Sequence, residues 1–309
     1  MSSGWSEEQV PDLSGKVVVV TGANSGIGFD ASREFARKGA KVVLACRSQE
    51  RGQKAVEEIR ESLPEAEVEL RLLDLADLES VEAFSEGFLE DMGQLDILCN
   101  NAGLMALPRC ETRQGFEMQF GVNHLGHFAL TGRLMPLISE TPGARVVTVS
   151  SNAHKFGLIR FEDLNWKKRY SKWEAYGQSK LANLLFAFEL QRRLKLHGVD
   201  AISVGCHPGL THTELARKGP EMEGSAVMTK LSTFFTEKLG MSSLEGALPT
   251  LFAAVEDLQG GEYVGPNGIA EVKGRPEVTE PTKRALNEDD AHRLWQLSET
   301  MTDVYYLKK

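Results

Sequence analysis

Tyr176 and Lys180 have the types and the spacing for proton transfer. They lie in Ala175-Tyr176-Gly177-Gln178-Ser179-Lys180-Leu181-Ala182-Asn183, which opens a helix predicted over 174–196. Positions i and i+4 share one helical face. A free phenol titrates near pH 10 and carries protons poorly at neutral pH. Lowering its pKa by about three units takes ~4 kcal/mol of differential stabilisation of the phenolate. A neighbouring ammonium in a partly dry site supplies part of that. A Tyr-x3-Lys pair alone is a common chance occurrence; Ser151 adds the weight. It ends the run Arg145-Val146-Val147-Thr148-Val149-Ser150-Ser151, at the carboxyl edge of a predicted strand, where open α/β sheets bind ligands. Both serines also suit strand termination or capping, and Ser150 is the rival of Ser151 for the chemical role.

These residues need a scaffold that brings them together. From 16 to about 264, short β-branched runs alternate with helical stretches. Strands are predicted over 17–20, 41–46, 68–73, 95–100, 145–149 and 200–205, and helices over 27–38, 49–61, 78–92, 123–138 and 174–196. The strands are short continuous apolar runs, as a parallel sheet covered on both faces requires. Repeated βα alternation predicts an α/β fold with a doubly wound, mostly parallel sheet of the Rossmann type. No linker, repeat or low-complexity tract divides the chain, so a single domain over 1–309 is expected. After the sixth strand, 210–242 carries an amphipathic piece at 226–239 but no clear strand. It is read either as a lid or as a surface helix pair. The tail at 274–281 reads as irregular, and a helix over 288–300 closes the chain.

The first βα turn runs Thr21-Gly22-Ala23-Asn24-Ser25-Gly26-Ile27-Gly28. Glycines there let the backbone turn sharply and approach a pyrophosphate resting on the next helix N-terminus. The spacing is G-x3-G-x-G rather than the commoner G-x-G-x-x-G. At the end of the second strand, an acid would bind the ribose 2′-hydroxyl of NAD. This chain has Cys46-Arg47-Ser48 instead. Arg47 suits a 2′-phosphate through charge-assisted hydrogen bonds, which favours NADP(H) over NAD(H); the alternative is a solvated surface arginine.

With its blocks in this order, the chain resembles the short-chain dehydrogenase/reductase superfamily over nearly its whole length. The resemblance implies a cofactor half at about 15–150 and a catalytic and substrate half at about 151–309. It implies that Asp74 and Leu75 contact adenine, that Asn101, Ala102 and Gly103 of Asn100-Asn101-Ala102-Gly103 line the cofactor ribose, and that Pro208, Gly209, Thr211 and Thr213 hold the nicotinamide carboxamide. It further implies that Ser151 orients the substrate oxygen and that Tyr176 exchanges the proton. Lys180 would also hold the nicotinamide ribose, and Asn123 would bend its helix to hold a relay water. The nicotinamide's positive charge would add to that of Lys180 in lowering the phenol's pKa. Within the superfamily the likeness is to the retinol dehydrogenase-like branch, carried by Ala45-Cys46-Arg47, Asn123-His124-Leu125-Gly126-His127-Phe128, the Tyr176–Asn183 block and Arg293-Leu294-Trp295-Gln296-Leu297-Ser298. That branch acts on lipophilic carbonyls and alcohols. Phe156, Leu158, Ile159, Phe161 and Trp166 suggest an apolar mouth, or else packing of their own loop. Two other functions stay open: a C=C reductase of the light-dependent protochlorophyllide type, and a non-catalytic NADP(H) sensor. The first is disfavoured by the intact Asn100–Gly103 block, the second by the joint presence of Asn123, Ser151, Tyr176 and Lys180.

The formal charge of −9 and pI of about 5.4 leave no basic field for nucleic acid or anionic lipid. No run approaches eighteen apolar residues, so no membrane span is expected. The N-terminus lacks the pattern of a signal peptide. Cys46, Cys99, Cys110 and Cys206 form no CxxC pair and read as free thiols of a cytoplasmic protein. His124, His127, His207 and His212 form no metal motif, so no metal is expected and they read as structural or surface residues. His207 and His212 have a second reading as liners of the substrate mouth. The partner expected is a small-molecule carbonyl or alcohol; a homo-oligomer is left open.

Overall fold

The structure is a computed structural model that describes residues 4–210 and 241–308. One eight-stranded sheet has the order β3-β2-β1-β4-β5-β6-β7-β8. Its strands are β1 (Val17–Thr21), β2 (Lys41–Cys46), β3 (Val68–Leu72), β4 (Ile97–Asn100), β5 (Ala144–Val149), β6 (Ala201–Cys206), β7 (Tyr263–Pro266) and β8 (Pro276–Thr279). All neighbours pair in parallel except β7 and β8, which are antiparallel. The doubly wound Rossmann-type α/β sheet expected from the alternation is the fold. Its order reverses between β1 and β4, and the crevice outside that switch point is where such sheets bind ligands.

The helices are α1 (Gly26–Arg37), α2 (Gln49–Ser62), α3 (Leu78–Asp91), α4 (Met118–Phe120), α5 (Gly126–Glu140), α6 (Lys172–Leu196), α7 (Ser243–Val255) and α8 (Glu288–Thr302). Period-two alternation sends successive residues of a strand to opposite faces. In β1 both faces are covered. Val18 and Val20 pack with Ala31 and Phe35 of α1 and Leu248 and Leu251 of α7, while Val19 packs with Phe88 of α3 and Phe128 of α5. Side chains cap the helix starts: Ser48 accepts from Arg51 N, Asp77 from Glu79 N, and Asn287 from Asp290 N.

Three features depart from the sequence reading. The tail expected to be irregular at 274–281 contains β8, which pairs Thr279 with Tyr263 and Pro276 with Pro266. It is a four-residue edge strand that begins on proline and leaves Val278 half-exposed, so neither propensity nor alternation marks it. The helix expected over 123–138 starts earlier, at α4, and runs into α5 through a π-helical turn, Gly121–Leu125, with Asn123 at its centre. Helix α7 and strand β7 were not assigned to elements from sequence; α7 is an apolar, alanine-rich helix begun by a reciprocal capping box between Ser242 and Glu245. Helix α8, expected over 288–300, packs Trp295 edge-on against Phe128 of α5, 5.0 Å between centroids, and stacks it on Phe186 of α6. The expected lid at 210–242 lies, apart from its ends, outside the described residues. No helix among the described residues is long and apolar enough to cross a membrane.

Candidate active site

One cleft at the carboxyl ends of the strands runs from the start of α1 to the start of α6. Its walls include Gly22, Asn24, Ser25, Gly26, Ile27, Gly28, Arg47, Asp74, Leu75, Asn101, Ala102, Gly103, Ser151, Tyr176, Lys180, Pro208 and Gly209. Residues more than 180 positions apart in sequence thus share one surface. Of the remaining residues singled out from sequence, Asn123 stands one layer behind the cleft wall, and Thr211 and Thr213 lie outside the described residues.

At the α1 end the wall is built from backbone. Gly26 has φ of +58°, a left-handed conformation that a side chain disfavours. A Cβ on Gly28 would run into the Asn101 amide and the Gly22 carbonyl, so only glycine fits this approach of turn to strand end. The first turn of α1 carries no acidic residue, and Ser25 makes no side-chain cap, leaving the helix N-terminus open to an anion. Arg47 ends the β2 wall. Arg51, on the first turn of α2, also lines the cleft. With its amide turned to satisfy both partners, Asn24 accepts from Arg51 Nη2 at 2.9 Å. Arg51 escaped the sequence reading, although it follows Arg47 by four residues at a helix start. These features form a cradle with donors for a pyrophosphate and cations for a further phosphate; a nicotinamide dinucleotide fits it.

Behind the cradle, Thr21 ties the strand ends together. Its Oγ1 accepts from Asn101 N and Ala102 N, both at 2.9 Å, and Asn101 Nδ2 donates to the Thr21 carbonyl at 2.7 Å. His127 Nδ1 donates to the Asn123 carbonyl at 3.0 Å, which leaves its Nε2 to accept from the Thr21 hydroxyl at 2.9 Å. Burial holds the pKa of His127 down to about 4 and that of His124 to about 3, so both are neutral. Both are buried and hydrogen-bonded within the protein rather than lying on its surface, and His207, too, is fully buried.

At the α6 end the groups are side chains, and most are buried. Burial raises the pKa of Tyr176, and a hydrogen bond with the Ser151 side chain opposes that rise. Lys180 Nζ lies 5.9 Å from the Tyr176 ring centre and donates to the Val149 carbonyl at 3.0 Å. Burial lowers its pKa to about 8. Ser150 and Ser151 are separated by their bonds: Ser150 Oγ donates to the Lys180 carbonyl at 2.7 Å, whereas Ser151 Oγ accepts from Ala153 N at 3.2 Å and lines the cleft together with Tyr176. Asn123 is anchored on both sides, its Oδ1 accepting from Leu104 N at 2.7 Å and its Nδ2 donating to Ser179 Oγ at 2.9 Å. The π-helical turn around it releases backbone bonding from the α-helical pattern, a distortion often found at functional sites.

Trp166 does not form an apolar mouth. It is 2% exposed and stacks under the Arg160 guanidinium at 4.0 Å. Phe161 packs partly buried beneath Arg293, and Phe156 and Leu158 are half-exposed away from the cleft wall. The apolar surface in the cleft comes instead from Leu104, Met105, Val122, Val149 and Leu210.

A reversing parallel sheet, a glycine turn onto α1 and a serine–tyrosine–lysine cluster at the strand ends define a dinucleotide-binding oxidoreductase. The family model for short chain dehydrogenases matches residues 16–224, and the chain belongs to that family. It is 45% identical to mouse (Mus musculus) retinol dehydrogenase 12 over 94% of this chain and 86% of that protein. It is 43% identical to human (Homo sapiens) retinol dehydrogenase 11 over 96% and 89%. A crystal structure of an uncharacterized protein from Mycobacterium paratuberculosis superimposes with a TM-score of 0.81 at 42% identity, covering 98% and 99% of the two chains. The fold is shared at 22% identity and a TM-score of 0.63 by an Escherichia coli CFT073 short chain dehydrogenase complexed with NADPH, over 82% of this chain and 98% of that one.

Proposed function

We propose that the chain is an NADP(H)-dependent oxidoreductase acting at the carbonyl or alcohol carbon of a lipophilic small molecule, with Tyr176 as general acid/base. The observation that carries this reading is the convergence of Ser151, Tyr176 and the buried Lys180 on one wall of a cleft that also holds Arg47. A nicotinamide cofactor bound in the cleft would supply or accept the hydride. Ser151 positions the substrate oxygen against the phenol, and Tyr176 gives it a proton in reduction or takes one in oxidation. The Lys180 ammonium, held by the Val149 carbonyl 5.9 Å from the phenol ring centre, would favour the phenolate, while burial raises the phenol's pKa and Ser151 opposes that rise. Asn123 steadies the π-turn next to Lys180. Gly22, Asn24, Ser25, Gly26, Ile27 and Gly28 would cradle the pyrophosphate, with Asp74 and Leu75 at the adenine and Asn101, Ala102 and Gly103 at the ribose.

Arg47, assisted by Arg51, would take the 2′-phosphate, a reading supported by the absence of an acid at the end of β2. The retinol dehydrogenase names of the relatives and the apolar residues of the cleft support a lipophilic substrate. The free thiols Cys46, Cys99, Cys110 and Cys206 support a reducing, cytoplasmic setting. The test is a panel of aldehydes and ketones followed by NADPH absorbance. Oxidation of NADPH by at least one long-chain or ring carbonyl is expected; no turnover across the panel, with NADPH bound, would leave a sensor.

A further inference from the structure

The hairpin that joins β7 to β8 brings a carboxylate to the back of the cofactor cleft. Ala270 and Glu271 both have φ of +54°, and two successive non-glycine residues in the left-handed region persist only where their surroundings over-determine them. Those surroundings are two loops and the end of β8. Glu271 Oε2 lies 3.0 Å from Lys155 Nζ and 3.2 Å from His207 Nε2. Its carbonyl accepts from Asn152 Nδ2 at 3.1 Å, and its Oε1 accepts from Thr279 Oγ1 at 3.4 Å. Asn152 and Lys155 belong to the turn that begins at Ser151. His207 opens the turn that carries Pro208 and Gly209 into the cleft.

The tautomer of His207 follows from its contacts. Gly209 N donates to His207 Nδ1 at 3.2 Å, so the proton sits on Nε2, toward Glu271. His207 is fully buried, stacks on Tyr263 at 5.2 Å, and packs against Gly265, where a Cβ would collide with the ring. The neutral ring's Nε2–H faces the Glu271 carboxylate without the geometry of an aligned hydrogen bond, and among the described residues Nε2 has no other partner. The same hairpin grips the turn again where Leu210 N donates to the Val272 carbonyl at 2.9 Å.

We propose that Glu271 is a positioning residue that clamps the Pro208–Gly209 turn, through His207, and the Ser151 turn, through Lys155 and Asn152, so that both face the nicotinamide end of the cofactor. This rests on the NADP(H) reading above. A clamp at one end of the cleft has a signature that a general loss of structure lacks. NADPH spans both ends, whereas adenosine 2′,5′-bisphosphate reaches only the Arg47 end.

The test measures dissociation constants of both compounds for wild type, Glu271→Ala and Glu271→Gln by calorimetry. In Glu271→Ala the NADPH dissociation constant should rise about tenfold, the order expected when a hydrogen bond at the nicotinamide end is lost. That of adenosine 2′,5′-bisphosphate should stay within twofold. Glu271→Gln, which keeps the size and one acceptor, should fall between and serves as the readout if the alanine variant fails to fold. Equal weakening of both compounds, or no change in either, would overturn the clamp. Wild type that binds neither compound would sink the cofactor reading and the clamp with it; wild type that binds both while the variants bind like it would sink the clamp alone.

Discussion

At the α1 end of the cleft the chain offers backbone and two exposed arginines, whereas at the α6 end it offers Tyr176 and Lys180, both almost fully buried. Exposed arginines lose little solvation by meeting a hydrated phosphate, so this end suits holding. Burial shifts the titration of both Tyr176 and Lys180, so the other end suits reaction. One cleft therefore joins a solvated end to an end whose titrating groups are tuned by burial.

The largest way to break that contrast, after the tyrosine itself, is Lys180→Met. Turnover should fall roughly 10²–10³-fold, the range of a lost acid/base assistant. Stability should move the other way. The folded pKa of about 8 lies below the ordinary lysine value, so the unfolded chain binds the proton more tightly and the buried charge costs stability at pH 7. That cost is at most about 3 kcal/mol, and its removal should raise Tm by a few degrees while Asn183 still serves the Val149 carbonyl. The wild-type rise in stability between pH 8 and about 10.5 should vanish in the variant. Thermal melts over that range check both statements; a lower Tm would mean that Lys180 is part of the scaffold.

At the other end, Arg47→Asp should shift the NADPH-to-NADH preference on the order of 10–100-fold, as expected from losing charge-assisted hydrogen bonds to a phosphate. Arg51→Ala should shift it less, and kcat with saturating cofactor should stay within a few-fold for both. An unchanged preference would make Arg47 a surface charge. The pH profile sharpens the contrast further. Because Lys180 loses its proton near pH 8, kcat/KM for carbonyl reduction should fall as pH rises through that region. NADPH binding at the Arg47 end should be flat over the same range. The smallest effect expected is Asn24→Ala, which removes one partner of Arg51 and should weaken NADPH binding by only a few-fold.

The two ends also differ in how far they could be read from sequence. The cradle is local: glycine spacing after a valine run places it, and Arg47 follows from one strand end. At the α6 end, Tyr176, Lys180 and Ser151 could be singled out from sequence, because Ser151 follows a strand end and the other two share a face early in a long helix. What distinguishes Ser150 from Ser151 is its bond to the Lys180 carbonyl, thirty residues on, a contact that exists only in three dimensions. Arg51 was missed because an arginine on a polar helix face resembles any solvated one. Strand β8 and Glu271 were missed for a deeper reason. A short edge strand containing proline and a left-handed turn carries no periodicity, and its meaning lies entirely in the distant loops it touches.

The central claim is that one end holds while the other reacts, and Tyr176→Phe tests it most directly. Removing one oxygen should reduce NADPH-dependent carbonyl turnover by a thousandfold or more, at the upper part of the range for general acid/base groups. The NADPH dissociation constant, measured on the same preparation, should change less than threefold. Turnover within tenfold of wild type, or loss of NADPH binding alongside turnover, would contradict the account.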